Sequence, residues 1–220
     1  MTRPCAHSTS TTLTLRRSRR IVFRLAALFS LDSFGGGFIV QSLLALWLFR
    51  RFALSVETTG AIFFAAGIAA GFSQLVAARL AARIGLINTM VYTHLPSNVL
   101  LILAALMPSA PLAVGFLLLR MCLSQMDVPA RQSYVMAVVP PEERPAAASV
   151  TNVPRSLAAA LAPLLAGAML SRSSFGWPLL CAGVAKTIYD VLLLVQFGAV
   201  KPPEETGDAA AAATRPRSSP

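Results

Sequence analysis

The chain contains 220 residues, of which 55% are hydrophobic and 13% are charged, and its mean hydropathy is +0.66. Soluble domains carry about 25% charged residues to cover their surface, so this composition excludes an ordinary soluble protein, a disordered chain, a collagen and a disulfide scaffold. A net charge of +10 suits nucleic acid binding only on a soluble fold with a basic face. The composition therefore predicts a membrane protein surrounded by the lipid bilayer, with no nucleic acid partner.

Six apolar segments follow one another along the chain, and each is long enough to be a membrane-spanning helix, which needs about 20 predominantly apolar residues. The predicted spans are residues 24–49, 59–78, 86–107, 111–138, 146–170 and 177–200. Residues 21–200 are therefore predicted to form an all-α, six-helix transmembrane bundle. The polar residues 1–20 and 201–220 are predicted to be disordered tails.

Lysine and arginine are distributed unevenly between the two sides of these spans, and cytoplasmic loops normally carry the excess. With both termini in the cytoplasm, most cations lie on that side. They are Arg16, Arg17, Arg19, Arg20, Arg79, Arg83, Arg131, Arg144, Lys201, Arg215 and Arg217. The opposite side then holds only Arg50, Arg51 and Arg172. The predicted protein is multi-pass, with cytoplasmic termini, in a cell membrane that we take to be a bacterial inner membrane.

Ionisable residues inside the spans are functional candidates, because each costs about 2.5–3.5 kcal/mol on insertion scales. They are Asp32, Arg120, Asp127, Arg155, Lys186 and Asp190. Since none is expected to face lipid, the first, fourth, fifth and sixth spans are predicted to surround a shared polar interior. The candidates for a transport pathway or proton relay are Asp32, Arg120, Asp127 and Arg155.

The fourth span carries a stripe of polar residues. Arg120, Ser124, Asp127 and Arg131 have i, i+4, i+7 and i+11 spacing, which predicts that they share one helical face. Such a stripe is typical of a water-lined pathway or of an internal ion-pair ladder, and we favour the pathway. Pro129 is predicted to bend this helix.

Four intramembrane residues outside the fourth span have a specific prediction. Lys186 and Asp190 are four residues apart, so we expect a neutralising ion pair within the sixth span. Asp32 precedes three glycines at 35–37, where the helix could unwind towards a cavity. Asp32 is either a proton or substrate group or the partner of an arginine on another helix. His94 could relay protons, but a lone histidine near a span end favours an interfacial position.

The remaining motifs favour helix packing over catalysis. Gly67 and Gly71 form a GxxxG pattern, which predicts close packing of the second span against another helix. The three cysteines form no CxxC pattern, and Cys122 and Cys181 lie within apolar runs. The sequence contains no HExxH motif, no Ser/His/Asp set and no Gly-rich phosphate loop. We therefore predict a protein that is not an enzyme and has no metal or cofactor.

The segment 120–168 has a distinctive order of features: Arg120, the loop MDVPARQSYVMAVVPPEERPAAASVTN, Arg155 and the pair Ala162-Pro163. This segment resembles the second half of a major facilitator superfamily transporter. Arg120 resembles the arginine of that family's fourth-helix motif. Ala162-Pro163 resembles the Gly-Pro of its antiporter motif, with the glycine replaced.

A short loop at residues 79–85 resembles the same family's G-x-L-a-D-R-x-G-R-K signature. It keeps Leu80, Arg83 and Gly85 and has Ala82 at the position of the acid. The resemblance implies that residues of the cytoplasmic loops act as gates or latches. These predicted gate residues are Arg79, Arg83, Gly85, Arg131, Glu143 and Arg144.

The resemblance covers residues 20–200 and implies a gradient-driven solute carrier, proton-coupled, that works by alternating access in efflux or exchange. It implies that the chain corresponds to helices seven to twelve, and residues 1–20 resemble the central cytoplasmic loop. In this family the substrate lies between two six-helix halves. The implied partners are a small-molecule substrate and either an N-terminal half or a second copy. The alternative is a truncated gene product without independent transport activity.

Overall fold

The computed structural model describes Leu15 and residues 18–197, and this part of the chain contains helices and no strands. Its α-helices are α1 (Arg19–Gly37), α2 (Gln41–Phe52), α3 (Val56–Ile84), α4 (Leu86–Leu106), α5 (Ala110–Ser124), α6 (Asp127–Val138), α7 (Arg144–Arg172) and α8 (Trp177–Phe197). A 3-10 turn, Pro141–Glu143, precedes α7. Apart from Leu15 and residues 18–20, the predicted tails and the end of the sixth predicted span lie outside the described residues.

Six helical stretches are long and apolar enough to cross a membrane. They are Arg19–Phe52, Val56–Ile84, Leu86–Leu106, Ala110–Val138, Pro141–Arg172 and Trp177–Phe197. The first stretch contains α1 and α2, and the fourth contains α5 and α6, so two of the six spans are broken helices. The predicted all-α bundle with six membrane spans is confirmed.

The first span is broken directly after its three glycines, between α1 and α2. Glycine weakens a helix interior, and here it also permits close packing. A Cβ atom on Gly37 would lie 2.7 Å from the backbone oxygen of Ala159 and 2.7 Å from the Cβ of Ala162 on α7. A Cβ atom on Gly35 would lie 2.9 Å from the side chain of Lys186 on α8. The glycines therefore bring α1 against both neighbours.

The fourth span is broken at residues 125–126, between α5 and α6. Pro129 lies in the first turn of α6, and its ring excludes the carbonyl group four residues earlier, which belongs to Gln125. The predicted bend is therefore a complete break one turn before the proline. It separates Arg120 on α5 from Asp127 and Arg131 on α6.

The connection between α3 and α4 consists of the single residue Gly85. Its φ of 86° and ψ of 163° belong to a backbone region that is essentially restricted to glycine. This conformation turns the chain at once from the end of one span into the start of the next.

Helix packing gives the bundle a core formed by α1, α4, α5, α6 and α8, to which α2 and α7 each contribute buried residues. Helix α1 packs against α7 and α8, while α4 packs against α5, α6 and α8, and α3 lies on α5. Helices α3 and α7 bury the smallest shares of their apolar windows. Large apolar side chains therefore remain exposed along both of these outer helices.

Two apolar clusters lie at opposite ends of the bundle. One includes Leu25, Met90, Tyr134 and Leu193. The other is formed by residues from the opposite ends of the same spans. It includes Trp47, Leu101, Ala113, Ala166 and Leu179. Asp32 on α1, His94 and Asn98 on α4, and Lys186 on α8 fall between the positions of their helices that contribute to the two clusters. The ionisable side chains therefore lie at mid-span with apolar packing above and below them.

Candidate functional site

Asp32 lies at the centre of the polar interior and joins three helices. Its Oδ2 accepts a hydrogen bond from Nη1 of Arg131 on α6 at 2.9 Å, and its Oδ1 accepts one from Nζ of Lys186 on α8 at 2.5 Å. Nε2 of His94 on α4 is 3.8 Å from the same Oδ1. Asp32 is 4% exposed, so these interactions replace the water that a carboxylate normally requires.

Arg131 is shared between two carboxylates. Besides its bond to Asp32, it donates from Nη2 to Asp127, one turn earlier on α6. Its guanidinium carbon lies 5.4 Å from the ring centroid of Phe29, a cation–π geometry. Planar guanidinium groups suit such bridging because their donors form a fixed fork. Arg131 thus connects the two broken spans.

Asp190 belongs to a second group of partners. Its Oδ1 lies 2.9 Å from Nδ1 of His94, and its Oδ2 accepts a hydrogen bond from Nδ2 of Asn98 at 2.8 Å. All three side chains are buried between α4 and α8. Because His94 approaches Asp190 with one ring nitrogen and Asp32 with the other, it links the two carboxylates.

We call these residues, together with Arg120, the buried polar network. Its acids and bases balance in number when His94 is neutral. The acids are Asp32, Asp127 and Asp190, and the bases are Arg120, Arg131 and Lys186. The predicted candidates Asp32, Arg120 and Asp127 therefore belong to one buried network.

Arg120 differs from the other charged members of the network. It is 8% exposed, yet among the described residues no carboxylate oxygen lies within 4.0 Å of it. Within the described part of the chain, its Nη1 donates only to Sδ of Met121 at 3.5 Å, and its Nε has no hydrogen-bond partner. A thioether is a weak acceptor. This guanidinium therefore retains most of its hydrogen-bonding capacity.

A cavity of about 380 Å³, which we call the main cavity, lies beside the network. The four residues of the predicted stripe all line it, although they belong to two helices. Its polar lining comprises Gln41, His94, Arg120, Ser124, Gln125, Asp127, Arg131 and Lys186. Leu44, Leu48, Ile62 and Phe63 contribute apolar walls from α2 and α3. The volume falls within the range of about 300–1,000 Å³ typical of small-molecule sites.

A second cavity, the side cavity, has a volume of about 440 Å³ and lies between α1, α7 and α8. Asp32, Arg155 and Asn152 line it, and Lys186 lines both cavities. Nε of Arg155 donates to Oγ of Ser33 at 2.9 Å. The structure therefore brings Asp32 and Arg155 to the side cavity and Arg120 and Asp127 to the main cavity.

Two predicted positions need correction. Lys186 does not pair with Asp190; it bonds to Asp32, because the glycines of α1 let that helix approach α8. Asp190 is held by His94 and Asn98 instead. Arg131 is not a residue of the cytoplasmic loops, since it lies within α6 and is buried between two carboxylates.

The other predicted gate residues lie at helix ends, as expected. Arg79 and Arg83 are exposed on the last turns of α3, next to Gly85. Glu143 accepts hydrogen bonds from the backbone N–H and from the hydroxyl group of Ser18. Arg144 begins α7 and donates from Nε to the carbonyl oxygen of Val139 at 3.4 Å. No measurement tests their action as gates, so this role stays a prediction.

His94 and Asn98 were missed as site residues. His94 is 2% exposed and not interfacial. Both lie on one face of α4 at i and i+4, and Lys186 and Asp190 have the same spacing on α8. The equal spacing of these two polar pairs was the sequence signal that α4 and α8 could face each other. Gly67 and Gly71 were expected in a close helix contact, but nothing described lies within 4 Å of a Cβ placed on either glycine.

Comparisons with known proteins agree with this architecture. The family model of the Major Facilitator Superfamily matches residues 25–219. An uncharacterized membrane protein of Saccharomyces cerevisiae is 23% identical over 181 residues, which are 80% of this chain and 40% of that protein. The chain thus spans less than half the length of this relative. No solved structure matches it significantly. The chain belongs to the major facilitator superfamily of membrane transporters.

Proposed function

We propose that the chain is one six-helix half of a proton-coupled secondary transporter, which moves a small solute in efflux or exchange by alternating access. The observation that carries this proposal is Asp32, a buried carboxylate bonded to cations on two other helices at mid-span. The main cavity beside it is large enough for a small solute. Intramembrane carboxylates of this kind typically mark proton or substrate pathways.

The contacts of Asp32 support the proposal of proton coupling. Protonation of its carboxylate would cancel the charge that holds Arg131 and Lys186, and these residues lie on α6 and α8. The contacts between α1 and these two helices would then weaken. A solute in the main cavity touches the same cations, since Arg131 and Lys186 also line that cavity. Proton and solute would therefore act on one set of ion pairs.

A second six-helix unit would cover the outer helices. Phe64 and Phe72 on α3 are 73% and 67% exposed, and Leu161 and Leu164 on α7 are 59% and 72% exposed. Transporters of this family rock two such units around a central site. We propose that the second unit is an N-terminal half or another copy of this chain, with its surface against α3 and α7.

The orientation is proposed from the loops. Ser18, at the start of α1, bonds to Glu143 before α7, so the start of α1 and this loop lie on the same side. Ile87, at the start of α4 directly after the α3–α4 connection, belongs to the apolar cluster at that end. Arg79, Arg83 and Arg144 lie near these connections, which favours the cytoplasmic side and cytoplasmic termini. The bacterial inner membrane stays a prediction.

The test is reconstitution of the full-length protein into vesicles that contain a pH-sensitive dye. We expect a transported solute to cause proton movement across the membrane with the wild-type protein and none with Asp32→Asn. Solute flux without proton movement would contradict proton coupling. Flux that requires a co-reconstituted second six-helix unit would support the half-transporter, and flux by the monomeric chain alone would contradict it. An absence of flux in every combination would favour the alternative of an inactive gene product.

A further inference from the structure

We infer that the main cavity binds an anionic solute, and that Arg120 holds its carboxylate or phosphate group. This inference rests on the proposed function, because it names the chemical class of the solute. Arg120 is buried, as Arg131 and Lys186 are. Arg131 and Lys186 each have a carboxylate partner, whereas Arg120 has none among the described residues.

The free donors of Arg120 are available for a ligand. Among residues 18–197, Nε has no hydrogen-bond partner and Nη1 donates only to the sulfur of Met121, while the side chain lines the main cavity. A buried guanidinium is stabilised best by a bidentate oxyanion, whose two oxygens match its parallel N–H donors. A solute oxyanion would therefore supply the interaction that the protein itself does not provide.

The charges that line the main cavity also favour an anion. Three cationic side chains line it, Arg120, Arg131 and Lys186, against the single carboxylate of Asp127. Arg131 is shared by Asp127 and Asp32, and Lys186 is bonded to Asp32. Their charges are therefore largely neutralised by these acids. The charge of Arg120 remains without a direct partner, and an anion placed against it would be attracted.

The remaining lining limits the size and shape of the solute. Ser124 and Gln125 lie beside Arg120 and offer further hydrogen-bonding groups, while Leu48 and Phe63 form part of an apolar wall. A solute with one anionic head and a compact apolar body matches this distribution. Aromatic or short branched carboxylates and phosphates of similar size satisfy it, whereas organic cations and large amphiphiles do not.

Binding can be tested without transport. The full-length protein in detergent would be heated with benzoate, phosphate or sulfate, with the neutral isostere benzamide as control at equal ionic strength. A ligand that binds only the folded state raises the midpoint of unfolding in a saturable manner. We expect such a rise with at least one oxyanion and none with benzamide. If benzamide is as effective as benzoate, or if no oxyanion has an effect, the inference is wrong.

Variants of Arg120 then locate the effect. We expect Arg120→Gln to lower the apparent oxyanion affinity at least tenfold, Arg120→Lys to lower it less, and the exposed Arg172→Gln to leave it unchanged. An unchanged affinity in Arg120→Gln would contradict the inference. If that variant does not fold, the test uses Arg120→Lys and measures the competition between benzoate and phosphate, because loss of the bidentate fork must change their relative affinities.

Oxyanion binding without any flux would contradict the proposed function alone, and flux of neutral or cationic solutes without oxyanion binding would contradict this inference alone.

Discussion

Asp32 on α1 and Lys186 on α8 form an ion pair with an Oδ1–Nζ distance of 2.5 Å, and Lys186 lines both cavities. The pair therefore stands where the main cavity and the side cavity approach each other. Each residue is 7% exposed or less. Since each residue also has ionisable neighbours, the pair is part of a larger network of charges and couples α1 to α8.

A double-mutant cycle on this pair should reveal strong coupling. Asp32→Asn leaves Lys186 as a buried cation, and Lys186→Met removes one of the two cations that donate hydrogen bonds to Asp32, so each single change should destabilise the fold by about 3–5 kcal/mol. The double variant should cost less than the sum, because neither charge is then left alone. The unfolding free energies of the wild type, the two single variants and the double variant would be measured in detergent, with Glu142→Gln as an exposed control. Additive effects would mean that the pair contributes no coupling.

Filling the main cavity from α3 should block solute binding without disturbing the fold. Gly67 lines this cavity and has open space where a Cβ would stand, so the side chain in Gly67→Leu would extend into the cavity. Gly71, one turn later, has similar open space but does not line the cavity. We expect Gly67→Leu to abolish flux and Gly71→Leu to retain it in vesicles, with similar thermal stability. Equal activity of the two variants would contradict this assignment of the cavity.

The packing of α1 against α7 should be sensitive to a single methyl group. In Gly37→Ala the new Cβ would meet the backbone of Ala159 and the side chain of Ala162, so α1 must shift. We expect a loss of about 1–3 kcal/mol in unfolding free energy. Gly167→Ala on α7 is the matched control, because its Cβ meets open space and alanine favours a helix by up to about 1 kcal/mol. A Gly37→Ala variant as stable as Gly167→Ala would refute the close contact.

The break in the fourth span should matter more for activity than for stability. Pro129→Ala removes the ring that interrupts the helix at Gln125, so α5 and α6 can join and the protein should become more stable in thermal unfolding. The rotation of Asp127 and Arg131 relative to Arg120 would then change, and flux should fall. Pro111→Ala, at the start of α5 where proline interrupts nothing, is the control. Unchanged flux in a stabilised Pro129→Ala variant would mean that the break has no functional role.

The number and positions of the spans were predictable from the sequence, because hydropathy over about 20 residues depends only on local composition. The two helix breaks were indicated by local chemistry as well, at the three glycines and at Pro129. Local rules were sufficient here since hydrogen bonding within a helix involves residues four apart in sequence.

The pairing within the site was not predictable by the same means. An i,i+4 spacing suggested that Lys186 pairs with Asp190, but the partner that each one takes depends on which helices face α8. The approach of α1 at Gly35 brings Asp32 to Lys186, and α4 brings His94 to Asp190. These choices depend on the rotation of whole helices, which a single sequence does not specify. For the same reason, Arg131 was predicted as a loop residue but belongs to the buried polar network.

The two apolar clusters at the ends of the bundle have a consequence for leakage. A coupled carrier is useful only if protons cannot run freely down their gradient, and a continuous column of water along the bundle axis would allow this. Packing around Leu25 at one end and Trp47 at the other surrounds the polar mid-span residues with apolar side chains. Under the proposed proton coupling, we expect the proton to reach Asp32 through the side cavity, which this residue lines. In the proposed carrier, the apolar clusters around Leu25 and Trp47 would then limit proton leakage as well as stabilise the bundle.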